Sequence, residues 1–228
     1  MHHRQLPHKE KCSLQFLLVQ GLVSRVWRQP CRCRGWCSSE ISSTCSMTFD
    51  PSARFERFDN TVDSSLERIR DYKMVKVVFS IASAVGDFGI LWHIIGLLRA
   101  LGSVDRFQQA LVFSTMIGVE SLLLNQGIKR LFRRSRPTTR GDERFALRTP
   151  RTSSFPSGHS SSAFFSALVL TYFFAWQWWP LFYALAMVIA ISRIGVRIHH
   201  ASDVVGGAIV GTLMGIAGLV FLNGIQLI

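Results

Sequence analysis

The chain has 228 residues, with 26 Lys plus Arg against 14 Asp plus Glu, a formal net charge of +12. Hydrophobic residues still make up 48% of it, so charge and apolar character must be segregated along the sequence. The length excludes two separate large domains, and the long apolar runs exclude intrinsic disorder. A nucleic-acid binder would account for the charge but not for the apolar stretches between the basic clusters.

Residues 1–46 differ from the rest. They are basic and hold all five cysteines, Cys12, Cys31, Cys33, Cys37 and Cys45. Their spacing matches no C-x-x-C zinc pattern, and an odd number closes no full disulfide set. The apolar stretch 14–23 is interrupted by Gln15 and Gln20, so it lacks the clean core of a signal peptide. The expectation for 1–46 is a disordered extension or a mis-assigned start, with Met47 as the initiator. Residues 47–76 read as an amphipathic helix. Phe55, Phe58, Val62, Leu66 and Ile69 recur at steps of three and four, forming one apolar stripe. Arg54, Arg57, Arg68, Arg70, Lys73 and Lys76 suit anionic headgroups, so this helix should lie at the membrane interface.

From residue 77 onward, apolar blocks alternate with short basic loops, the layout of a polytopic membrane protein. The expected spans are 77–98, 107–128, 159–177, 180–198 and 204–222. Gly86-Asp87-Phe88-Gly89 interrupts the first, but each half is too short to cross alone, so it is read as one helix. Trp176, Trp178 and Trp179 suit an interfacial belt. Gly206, Gly207, Gly211, Gly215 and Gly218 give the last span a small-residue face for close helix contact. The fold class is therefore all-α: a transmembrane helix bundle of about five spans, residues 77–228, preceded by an amphipathic helix. Five crossings put the 129–158 loop and the 193–203 region on one face, together with the N-terminus.

Three segments concentrate groups that suit a phosphate. They are Lys129-Arg130-Leu131-Phe132-Arg133-Arg134-Ser135-Arg136-Pro137, then Phe155-Pro156-Ser157-Gly158-His159, then Ser192 to Asp203 with Arg193, His199 and His200. Lys129, Arg136 and Arg193 supply positive charge; Arg forks bind phosphate oxygens in pairs, whereas Lys acts as a point charge. Ser157 and Gly158 open a long apolar helix, so their N–H groups sit at an anion-binding terminus. Asp203 lies within helical reach of both His199 and His200, and spacing alone does not choose between them. Glu120 and Asn125 precede Lys129 and could line the bundle interior, either beneath the site or as ordinary helix–helix contacts. Arg130, Arg133, Arg140 and Arg144 read as a surplus of the kind common in basic loops.

The pattern K-x6-R-P, P-S-G-H and S-R-x5-H-x3-D resembles the signature of the type 2 phosphatidic acid phosphatase superfamily, which also includes vanadium haloperoxidases. All three parts occur in order over residues 129–203. The resemblance implies that His199 is the nucleophile, forming a phosphohistidine, with Asp203 fixing its tautomer. It implies that His159 protonates the leaving oxygen and then activates water. Lys129, Arg136, Ser157, Gly158 and Arg193 would hold the phosphate, with no metal and no cofactor required, since cationic side chains fill that place. The partners expected are a lipid phosphate and the bilayer, not nucleic acid. The expected activity is hydrolysis of a lipid phosphate monoester or pyrophosphate: a polyprenyl phosphate, phosphatidic acid or phosphatidylglycerol phosphate. The expected location is a bacterial plasma membrane, with the site on the extracytoplasmic face. Two alternatives are a vanadate-dependent haloperoxidase, which five spans and the lack of a large extra domain disfavour, and a non-catalytic protein that binds anionic lipid.

Overall fold

The computed structural model describes residues 51–138, 142–145 and 152–224; the expectations for residues 1–46 lie outside them. Every regular element among the described residues is helical: α1 Pro51–Arg70, α2 Lys73–Val85, α3 Ile90–Ala100, α4 Val104–Leu131, α5 Gly158–Phe173, α6 Trp179–Gly195 and α7 Ala201–Gly224. Helices α4 and α7 are long and apolar enough to cross a membrane, as is α6 together with its leading turn from Trp176. α2 and α3 form a further span only as a bent pair. The bundle is thus all-α and membrane-spanning, as the apolar blocks predict.

Two of the five expected spans depart from simple crossings. The first is not one helix. α2 and α3 meet at an angle of 61°, because Phe88 and Gly89 adopt positive φ values of 53° and 69°, which no helix can absorb. The third, α5, runs for only 16 residues, about 24 Å at 1.5 Å per residue and short of a hydrocarbon core of about 30 Å. Ser157 caps its start, accepting a hydrogen bond from the Ser160 N–H, and extended backbone at Phe174 ends it. α5 is nonetheless the centre of the bundle, with ten of its residues buried. A helix enclosed by other helices need not match the full bilayer thickness.

Close packing around α5 depends on the glycine stripe of α7. A Cβ at Gly207 would collide with the Ser157 carbonyl oxygen, and one at Gly211 with the carbonyl oxygen of Ser161. Ser160 Oγ donates to Val204 O at 2.7 Å across the same contact. Trp92, Phe113, Phe165, Leu170, Phe182 and Ile189 fill the main core. Trp176, Trp178 and Trp179 are exposed near the turn joining α5 to α6, where a belt was expected. α4 starts at Ser103, whose hydroxyl accepts from Arg106 N. It widens into a π-helical turn over Leu123–Ile128 just before Lys129, a local rewinding often found beside functional groups.

α1 is helical as expected, and among its charged residues Asp59 and Arg70 are buried against the bundle. Val62 and Leu66 pack against Ala190, Ile194, Ala201 and Val204, whereas Phe55, Phe58 and Ile69 stay exposed. Arg70 is fully buried. Its Nε donates to Gly195 O at 2.9 Å and one terminal nitrogen to Ile194 O at 3.1 Å. These are last-turn carbonyls of α6, which lack partners within the helix. Asp59, also buried, accepts from the Ser202 N–H at 2.8 Å in the first turn of α7. α1 therefore satisfies both helix ends that flank the segment 196–200.

Candidate active site

The three basic segments converge on one end of the bundle through backbone contacts. Ser154 N donates to Arg134 O at 3.0 Å, joining the first segment to the second. Ser157 N donates to Asp203 O at 3.0 Å, joining the second to the third. Arg136 donates to Ile198 O at 2.9 Å, and Thr138 Oγ1 to Arg197 O at 3.1 Å, joining the first to the third. Between α6 and α7 the chain turns sharply, with Arg197 at a φ of 58°. Both His199 N and Ile198 N bond back to Arg193 O at 3.2 Å. That turn buries His199 almost completely.

Arg136 sits at 3.2 Å from His199 Nε2. A guanidinium only donates hydrogen bonds, so Nε2 must be the acceptor and the ring proton resides on Nδ1. Nδ1 faces Asp203 Oδ2 at 3.7 Å, too long for a direct hydrogen bond. Ser154 stands beside both, its Oγ donating to Asp203 Oδ2 at 2.5 Å and lying 3.5 Å from Nδ1. Burial pushes the His199 imidazole down to about 3, with Asp203 opposing and Arg136 and Arg193 assisting. The ring is therefore neutral at ordinary pH. Burial also lowers the Arg136 guanidinium, partly offset by Asp203.

Asp203 is fully enclosed. Besides Ser154, its carboxylate accepts from His200 N at 2.8 Å and from Arg134 at 2.6 Å. Arg134 reaches on to Asp59 Oδ2 at 2.5 Å and to Ser202 Oγ at 2.7 Å. His200 thus meets Asp203 through its backbone, whereas His199 presents its ring. Geometry separates two candidates that spacing could not.

The remaining predicted residues face the same region. Arg193 is buried and donates to Ser83 Oγ on α2. Its Nε finds no hydrogen-bond partner among the described residues, a state that buried donors rarely tolerate without a ligand or water. Lys129 is buried at the end of α4. Its Nζ would lie 3.4 Å from a Cβ at Gly158, so the ammonium sits against the first turn of α5. His159, in the first turn of α5, meets Asp87 through Nε2 at 2.5 Å. The Arg193 charge reaches both His159 and His199. Two buried cations, a helix N-terminus and two imidazoles suit a tetrahedral anion.

Ser83, Asp87, Arg134 and Ser154 each touch a predicted site residue, and Asp59 reaches Asp203 through Arg134, yet none of the five is part of the signature. Only Asp87 carried a signal of its own, an acid between two glycines inside an apolar block. Of the two polar residues expected to line the interior, Glu120 is buried and accepts from Ser161, while Asn125 bonds its own helix at Ser121 O and faces outward. Among the described residues no three His, Cys, Asp or Glu side chains cluster as a metal site would require.

A search of curated proteins gives no match. Among solved structures, the fold is similar to a transmembrane PAP2-type phosphatidylglycerolphosphate phosphatase from Bacillus subtilis, 25% identical with a TM-score of 0.57, over 78% of this chain and 89% of that one. It is also similar to LpxE from Aquifex aeolicus, 22% identical with a TM-score of 0.52, over 74% of this chain and 93% of that one. The sequence model of the PAP2 superfamily matches residues 109–225, just over half of the chain and all three basic segments. The chain therefore belongs to the PAP2 superfamily, and it has the fold of that superfamily's membrane-embedded phosphatases.

Proposed function

We propose that this protein hydrolyses a lipid phosphate monoester or pyrophosphate through a phosphohistidine at His199. The observation that carries the reading is the state of His199: neutral, buried, protonated on Nδ1, with the Nε2 lone pair turned toward Arg136. A nucleophile needs an available lone pair and a cation beside the group it attacks. A substrate phosphate oxygen would take over the Arg136 donor and bring phosphorus to Nε2. Arg193, Lys129, the Gly158 N–H and the Ser157 hydroxyl would neutralise the equatorial oxygens, whose charge spreads in the transition state, the Ser157 N–H being already given to Asp203 O. Asp203, 3.7 Å from Nδ1 with Ser154 beside both, would favour the tautomer protonated on Nδ1 and stabilise the positive charge that develops on the ring. His159 would serve as acid for the leaving oxygen and as base for water.

The substrate class rests on position. The site lies at helix ends in a bundle whose flanks are apolar, so a lipid can present its headgroup while its tails stay in the membrane. The phosphatidylglycerolphosphate phosphatase likeness makes that diacyl lipid one candidate, beside phosphatidic acid and polyprenyl phosphates. An extracytoplasmic site follows from the family resemblance, and protease cleavage of the 138–150 loop in oriented vesicles tests it. The activity itself is tested by phosphate release from polyprenyl, diacyl and soluble phosphates by the purified protein, beside His199→Ala. Turnover by the wild type, blocked by vanadate and lost in the variant, is the expected result. Halide oxidation dependent on added vanadate would favour the haloperoxidase instead. Wild-type protein that releases phosphate from no substrate would end the reading.

A further inference from the structure

The carboxylate that meets His159 comes from outside all three signature segments. α2 stops at Val85, and the chain passes through Asp87–Gly89 with Phe88 and Gly89 at positive φ. That break turns the span by 61° and leaves Asp87 2.5 Å from His159 Nε2. A Cβ at Gly86 would stand 3.1 Å from His159 Cδ2 and 2.9 Å from Ile189 Cγ2. The Cδ2–Nε2 edge of the ring thus faces the bend, with Nδ1 on the opposite side. An ionised carboxylate only accepts, so Nε2 carries a hydrogen and Nδ1 is the position free to exchange one. The charges of Arg193 on α6 and Lys129 on α4 also act on this ring; Asp87 sets a negative charge against them.

We propose that Asp87 is a positioning residue for proton transfer by His159, an inference that rests on the phosphatase reading above. In the first half-reaction, His199 Nε2 forms a bond to phosphorus as the bond from phosphorus to the lipid oxygen breaks. Cationic His159 gives its Nδ1 proton to that oxygen, releasing the lipid product and becoming neutral. In the second, water attacks phosphorus, its proton passes to His159 Nδ1, and the P–N bond breaks to release phosphate. Asp87 holds Nε2–H throughout, so the same nitrogen gives and takes the proton and the ring cannot turn away between steps. The glycines serve this pair. Gly89 permits the turn, and Gly86 leaves space for the ring.

The test uses the purified full-length protein and two substrates, an alkyl lipid phosphate with a poor leaving group and an aryl phosphate with a good one. Asp87→Asn should lose about a hundredfold in kcat/KM on the alkyl substrate and less than about threefold on the aryl one. The alkaline limb of the pH profile should move down by about one unit, since an anion that favours imidazolium is gone. Asp87→Glu should recover about tenfold of the loss on the alkyl substrate. Gly86→Ala, which crowds the ring while keeping the carboxylate, should reproduce the leaving-group dependence by an independent route. An equal loss on both substrates with the limb unmoved, or no loss at all, overturns the proposal. Active wild type with inactive His199→Ala, but with both Asp87→Asn and Gly86→Ala at wild-type rates, would sink this inference alone. Inactive wild type would sink the phosphatase reading beneath it.

Discussion

His199 and His159 each stand beside a carboxylate, but the two supports differ in kind. Asp203 is wholly enclosed and is itself held by Ser154, the His200 N–H and Arg134, with Asp59 behind Arg134. The Asp87 side chain is 48% exposed and meets His159 Nε2 at 2.5 Å. The difference matches the work proposed for each ring. A nucleophile must keep one tautomer and one aim through two chemical steps, which favours a rigid, fully partnered support. A proton carrier must change charge twice in a cycle, which favours a support less tightly enclosed than that of the nucleophile.

The strongest way to break this contrast is to remove the nucleophile's side of it. His199→Ala should cost more than about a thousandfold in kcat, and Asp203→Asn a comparable amount, with both proteins still eluting as folded species in detergent. Near-normal turnover in either would mean that the enclosed pair is structural. Next in size is the support behind Asp203. Arg134→Ala leaves two buried carboxylates without their shared cation, and should lower stability by about 3 kcal/mol in thermal unfolding. Asp87→Asn, at a half-exposed site, should change stability by less than about 1 kcal/mol. Equal stability losses at the two positions would erase the distinction between the enclosed and the half-exposed support.

Acid pH sharpens the comparison further. The folded His199 ring resists protonation until about pH 3, while the unfolded chain takes up that proton near the ordinary value of 6.5. The unfolded state therefore binds more protons between those two values. The stability contributed by the neutral ring is complete above pH 6.5 and is lost as pH falls toward 3. His199→Gln should flatten that part of the stability–pH curve, and an unchanged slope would contradict the buried neutral ring. Smaller effects belong to the outer surface. Arg144 and Arg70 hold the Glu67 carboxyl down to about 2, yet the pair with Arg144 is exposed enough for solvent to screen it. Glu67→Gln should change melting by less than about 1 kcal/mol. Chelation by EDTA should alter turnover by less than about twofold, because cationic side chains do the neutralising; activity restored only by added Mg²⁺ would contradict this.

Much of the site was readable because its residues cluster in three short runs of sequence. Lys129 with Arg136, Ser157 to His159, and Arg193 to Asp203 each have fixed local spacing, and that spacing survives whatever the rest of the fold does. Their supports were not readable. Asp59 sits on an exposed-looking amphipathic helix, and nothing local distinguishes it from Asp63 or Asp71. Ser83 and Ser154 are small polar residues whose partners lie far along the chain. Arg134 stands beside Arg133 in a basic run, with nothing local to single it out. The break at Gly86 was visible, but the requirement that a span cross the bilayer argued for a straight helix. Positive φ at Phe88 and Gly89 decided otherwise. The glycine stripe of α7 was legible because helical periodicity alone puts Gly207 and Gly211 on one face.

The docking of α1 limits how far this protein can be cut down. The stretch recognisable by family pattern begins at residue 109, but Asp59, Arg70, Ser83 and Asp87 all precede it. A minimal core trimmed to that boundary would keep every signature residue and still lose the ties at both ends of the turn that carries His199. The working unit is longer than the stretch by which it is recognised.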